Sequence, residues 1–133
     1  MGKKYKLTDE TIEVEGKTLY RIEALKDFCE IKNGDKGGFI ESEDNLSHEG
    51  NAWVYDDACV YDNACVYGNA CVYDNARVCG NSRVCGTARV TDDACACGTA
   101  RVYDNDWVYD HALGVWKHSN KKTNDHGKVQ SNG

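Results

Sequence analysis

From Ala52 to His111 the chain repeats every six residues, ten times in succession, without one inserted or deleted position. Each hexad reads small, variable, Val, variable, then two turn-prone residues, as in Ala52-Trp53-Val54-Tyr55-Asp56-Asp57 and Ala58-Cys59-Val60-Tyr61-Asp62-Asn63. Self-similarity at a short fixed period marks a solenoid, in which each repeat buries its apolar face only against its neighbours. Residues i and i+2 of a strand share a face, so the Ala and Val of each hexad point inward and the residue between them points out. Asp, Asn and Gly then bend the chain toward the next strand. Side chains as small as Ala and Val imply a narrow interior.

The flanks are less regular. Residues 5–24 alternate polar and apolar around Glu15-Gly16-Lys17, which predicts a β-hairpin with Ile12, Val14, Leu19, Tyr20 and Ile22 buried. Residues 25–50 hold Gly34, Gly37, Gly38 and Gly50 among charged residues, an irregular segment with one strand near Phe39-Ile40-Glu41. The expected organisation is therefore a hairpin and irregular cap over 1–50, a hexad solenoid over 51–116, and a disordered basic tail over 117–133, where only Val129 is available to bury.

Charge is unevenly distributed. Residues 1–50 carry 8 basic and 12 acidic residues, 51–112 carry 4 and 9, and 113–133 carry 4 and 1. An acidic body argues against direct nucleic-acid binding, which needs a basic surface to displace counterions, and favours a basic protein partner. No apolar run is long enough to span a membrane and the N-terminus has no apolar signal core, so a cytoplasmic, non-membrane protein is expected. Of the eight Cys, seven fall at regular repeat positions, and they are expected to be reduced thiols.

With these hexads the chain resembles the hexapeptide-repeat proteins. That resemblance implies an all-β fold, a left-handed parallel β-helix with three hexads, or 18 residues, per triangular coil and three to four coils. The leader, Gly34-Asp35-Lys36-Gly37-Gly38-Phe39-Ile40-Glu41 and Asn45-Leu46-Ser47 before Gly50-Asn51-Ala52-Trp53-Val54, also resembles uncharacterised repeat proteins of phages and their bacterial hosts.

With 18 residues per coil, residues 18 apart stack at about 4.8 Å and the surface resolves into columns. Val54, Val72, Val90 and Val108 form one inner column; Val60, Val78 and Ala96 form a second; Val66, Val84 and Val102 form a third. Asp106 takes the small inward position above Ala52, Ala70 and Ala88, and is expected at an open, wetted C-terminal end, with an unusual buried acid as the alternative. One edge gathers Asp56, Asp57, Asp74, Asp92, Asp93 and Asp110, with Asn75 and His111. The face leading into it displays Trp53, Tyr55, Tyr73, Arg89, Trp107 and Tyr109, with Cys71 and Thr91. Aromatics beside Arg are typical of contact centres, and stacked carboxylates suit a basic partner, so these twelve Trp, Tyr, Arg and Asp residues are the expected partner-binding set. Ordinary turn chemistry for the Asp residues, ordinary strand packing for the aromatics, and a cation on the acidic edge stay open as alternatives.

Enzymatic chemistry is not expected. Many hexapeptide-repeat proteins are trimeric acyltransferases with a catalytic His and a loop that completes a site between subunits; this repeat admits no loop, and His111 is its one His. Such an inter-subunit acyltransferase is the alternative reading. Cys79, Cys95 and Cys97 share one outward face, but zinc wants four ligands, so no metal or cofactor is expected. The preferred expectation is a non-enzymatic interaction module that forms a homodimer or homotrimer and docks on a basic host protein. The leader's resemblance adds a role against a host defence protein.

Overall fold

The computed structural model describes residues 3–111 and 114–118, from residue 109 on as backbone only. The chain begins with a hairpin of β1 (Tyr5–Val14) and β2 (Lys17–Ala24), joined by Glu15 and Gly16 at φ 52° and 80°. Two consecutive positive φ values give a tight two-residue turn whose twist matches that of the strands it joins. Val14, Leu19 and Ile22 are buried as expected, while Ile12 and Tyr20 are half-buried.

The solenoid strands follow: β3 (Lys36–Ile40), β4 (Trp53–Val54), β5 (Cys59–Val60), β6 (Cys65–Val66), β7 (Cys71–Val72), β8 (Arg77–Val78), β9 (Arg83–Val84), β10 (Arg89–Val90), β11 (Cys95–Ala96), β12 (Arg101–Val102) and β13 (Trp107–His111). Pairing is parallel and in register eighteen residues apart, with Val54 on Val72, Val72 on Val90 and Val90 on Val108. Val60 on Val78 on Ala96, and Val66 on Val84 on Val102, repeat the pattern on the other two faces. The molecule is thus an all-β parallel β-helix with three hexads per coil. All these inward side chains are fully buried, as are the Ala residues that open the hexads.

The coil begins earlier than the hexads do. Phe39 and Ile40 pair in parallel with Cys59 and Val60, and Leu46 bridges Val66, both at a separation of twenty residues. Two extra residues between Leu46 and Trp53 hide this coil from a six-residue period. The turn before Leu46 is a 3-10 turn at Glu43–Asn45, where the buried Asn45 accepts the N–H groups of Glu41 and Ser42 and donates to the Ala64 and Asp62 carbonyls.

At each end of the helix one face is extended by antiparallel strands. One face forms a six-stranded sheet, β1-β2-β3-β5-β8-β11, so the hairpin shields the N-terminal edge of that face. At the other end β14 (Gly114–His118) pairs antiparallel with β13. On these two faces the pairing removes the open N–H and C=O row that could template end-to-end stacking, while β11 and β12 remain edge strands at the C-terminal end. Lys117 and His118 belong to β14 rather than to a disordered tail, and residues 119–133 lie outside the described residues. Asp106 corrects a second expectation: it is 2% exposed, and its carboxylate accepts the Tyr103 N–H at 3.1 Å. A backbone donor supplies a partner of the kind a buried acid requires.

Among the described residues no helix is long and apolar enough to cross a membrane.

Candidate functional site

The aromatic face is built on β4, β7, β10 and β13, but its first member does not belong to the surface. Trp53 is fully buried, with its ring edge-on to Phe28 at 5.3 Å and to Tyr5 at 6.2 Å. The cap folds over it, so Trp53 is core rather than a contact residue. Its outward hexad position was legible; the cap that covers it was not, because Tyr5 and Phe28 lie outside the repeat.

The rest of the strip runs in the order the columns predict. Tyr55 and Tyr73 stack at 4.4 Å with an interplanar angle of 11°. Arg89 sits 5.9 Å above the Tyr73 ring and donates to its hydroxyl at 3.0 Å. Burial raises the Tyr73 phenol to about 12 and pushes that of Tyr55 higher still, so both stay protonated across physiological pH. Tyr55 donates to Glu30 of the cap at 3.1 Å. Trp107 continues the strip, 48% exposed, with its indole N–H directed at Thr91 Oγ1 at 3.4 Å. The side chains of Tyr109, Asp110 and His111 lie outside the described set; His111 pairs with Gly114 in the terminal hairpin.

The acidic edge is assembled as expected, with Asp56, Asp57, Asp74, Asp92 and Asp93 all exposed, but backbone geometry explains half of it. In nine hexads the fifth residue has positive φ, and in all nine it is Asp or Gly: Asp56, Asp62, Asp74, Asp92 and Asp104 at 54° to 61°, and Gly68, Gly80, Gly86 and Gly98 near 71°. Left-handed backbone is disfavoured for side chains that cannot bond locally, so these residue types are what the turn demands. Asp also gains a bond that Gly cannot form. Asp56 accepts the N–H of Asp74, Asp74 that of Asp92, and Asp62 that of Gly80, at 3.1 to 3.2 Å. The bond expected within the turn is made instead to the coil above. Asp57 and Asp93, in the sixth position, have no such backbone duty; Asp57 meets Arg21 of β2 at 3.4 Å.

The remaining two faces carry arrangements of their own. On the β6-β9-β12 face, Arg83 and Arg101 stand in register, with Tyr67, Cys85 and Tyr103 beside them in a cleft of about 480 Å³. Their spacing of eighteen residues was the available signal. On the face of β5, β8 and β11, Cys79 and Cys97 form a disulfide with Cα atoms 4.7 Å apart, which corrects the expectation that every Cys is reduced. Coil stacking sets that separation, and it falls inside the range a disulfide spans. Among the described residues, the close group of three potential metal-ligating side chains is Cys79, Cys95 and Cys97, not the carboxylates of the acidic edge.

No protein-family model and no curated protein matches this chain.

Proposed function

We propose that this protein is a non-enzymatic binding module, and that the Arg89–Trp107 strip and the adjacent acidic edge are its contact surface for a basic protein. One observation carries the reading. Trp107 and Leu25 are the exposed large hydrophobic side chains among the described residues, and Trp107 stands in register with the exposed Arg89 beside Asp92 and Asp93. A Trp and an Arg on a rigid sheet supply large contact area with little ordering entropy, and flanking carboxylates steer a basic partner toward them. The Tyr55–Tyr73 stack beneath holds Arg89 in place, so the surface is set before binding. Trp53 has no part in this surface. A role against a host defence protein is carried by the leader's resemblance alone.

The test is capture of a bacterial partner on the immobilised protein at low and high salt, repeated with two variants. Trp107→Ala with Arg89→Ala removes the anchor, and Asp57→Asn with Asp93→Asn removes carboxylates that lie outside the coil-to-coil Asp ladder. Both variants should keep the β-sheet circular dichroism and release the partner, and wild-type capture should weaken as salt rises. A partner retained by both variants, or tight binding of acetyl-CoA by calorimetry, overturns the proposal.

A further inference from the structure

Three cysteine sulfurs meet on the face formed by β5, β8 and β11. Cys79 and Cys97 take the same outward hexad position in successive coils, and Cys95 precedes Cys97 by two residues, on the same side of its strand. The three Sγ atoms all lie within 4.8 Å of one another, and Cys95 Sγ is 2.7 Å from Cys97 Sγ. Cys79 is buried and the other two are half-buried, beside an apolar cluster that includes Val14 and Leu19 of the hairpin and Tyr61. Arg77 stands in register with Cys95.

Two of these sulfurs form the disulfide in the oxidised chain. A dithiol reductant returns two electrons and two protons to Cys79 and Cys97 and leaves as its own disulfide, and three thiols then converge on one point. We propose that in this reduced form Cys79, Cys95 and Cys97 bind a single Cu(I) ion through their three sulfurs. Each sulfur gives up its proton on binding, and copper does not change oxidation state.

Donor type and number select the ion. Three thiolates with no nitrogen or oxygen ligand favour a soft cation. Structural zinc is four-coordinate, and the group contains three sulfurs, whereas Cu(I) is satisfied by three. Three thiolates on a monovalent ion leave two negative charges, and the Arg77 guanidinium offsets one of them. The ladder between β8 and β11 fixes the backbone positions in advance, leaving only side-chain rotation to complete the site. The disulfide and the ion compete for the same sulfurs, so oxidation closes the site.

The full chain is reduced with a phosphine, kept anaerobic, and titrated with Cu(I) against a chromophoric Cu(I) chelator. One ion per chain should be retained, with three sulfur neighbours by X-ray absorption. Cys95→Ser should weaken retention at least about a hundredfold, beyond the usual loss of an outer-shell partner. Cys65→Ser, on another face, should leave it unchanged, and the oxidised chain should lose the ion. The proposal fails if Cys95→Ser and wild type bind alike, if the oxidised chain binds as the reduced one does, or if Zn(II) displaces Cu(I). Because the absorption measurement uses the wild-type chain, a sulfur count other than three overturns it even if a variant misfolds.

Discussion

Asp56 Oδ2 accepts the backbone N–H of Asp74, eighteen residues later, at 3.1 Å, and Asp74 repeats the bond to Asp92. The ladder joins successive coils outside the strand pairs, and it depends on a left-handed backbone at each Asp. Replacing Asp74 separates the two contributions. Asp74→Gly loses the bond and with it the β-carbon, while Asp74→Ala loses the bond and keeps a β-carbon in left-handed backbone, without the local bonding that lets Asp tolerate it, at a cost of about 1–2 kcal/mol. Denaturant unfolding should rank wild type above Gly and Gly above Ala. An Ala variant as stable as the Gly variant would show that the turn carries no strain.

Ser82 takes the small inward position between Ala64 and Ala100, fully buried, and its hydroxyl has no hydrogen-bond partner among the described residues. A buried hydroxyl without a partner costs roughly 1–3 kcal/mol relative to one that is paired. Ala fits the same column elsewhere. Ser82→Ala should therefore raise the stability by about 1 kcal/mol or more, and the unfolding midpoint with it. A lower midpoint would mean that the hydroxyl does find a partner.

The interior was legible because two periods coincide. A strand's alternation assigns Val54 and Ala52 inward, the hexad fixes where each turn falls, and together they place every inner column in register. Three features escaped for the opposite reason, that they depend on chain outside the period. Trp53 is buried by Tyr5 and Phe28, which no repeat position announces. The coil through Phe39 and Leu46 is longer by two residues, so it carries no hexad phase. Asp106 is buried where an open end was expected, and the chain beyond it pairs back on β13 as β14, which no hexad position announces. In the candidate site, the order Tyr55, Tyr73, Arg89, Trp107 followed from columns alone; the restriction of the fifth position to Asp or Gly was also written in the sequence, but as a backbone requirement rather than as a charge pattern.

Cys79 and Cys97 close a loop across one coil, eighteen residues apart. A loop of about this length is worth roughly 3 kcal/mol through the entropy it removes from the unfolded chain. Adding a reductant should lower wild-type stability by up to that amount. Cys79→Ser should show the lower value in both conditions and lose the redox dependence. Equal stability of wild type with and without reductant would remove the disulfide from the account of the fold.

Lys4 gives the fold a pH dependence of unusual sign. Its side chain is fully buried, Nζ donates to the Ala52 carbonyl at 2.7 Å and to that of Gly50 at 3.3 Å, and it lies 5.1 Å from the Phe28 ring centroid. Burial, reinforced by the charge of Lys26, lowers its pKa from 10.5 to about 8. Between these values the unfolded chain holds a proton that the folded chain has released, so the contribution of Lys4 to stability rises with pH across that window. Burial also raises the Tyr5 phenol above its ordinary 10.0 and the Cys59 thiol above 9.0, and both act oppositely: the unfolded chain ionises first, so stability falls as pH passes those ordinary values. The Lys4 contribution is isolated by comparison with Lys4→Met, which retains the buried stem without the charge. Denaturant unfolding at intervals from pH 7 to 10.5 should show the advantage of wild type over the variant growing by up to roughly 3 kcal/mol. A difference that stays flat over this range would mean that Lys4 remains charged where it is buried, held by the two carbonyls alone.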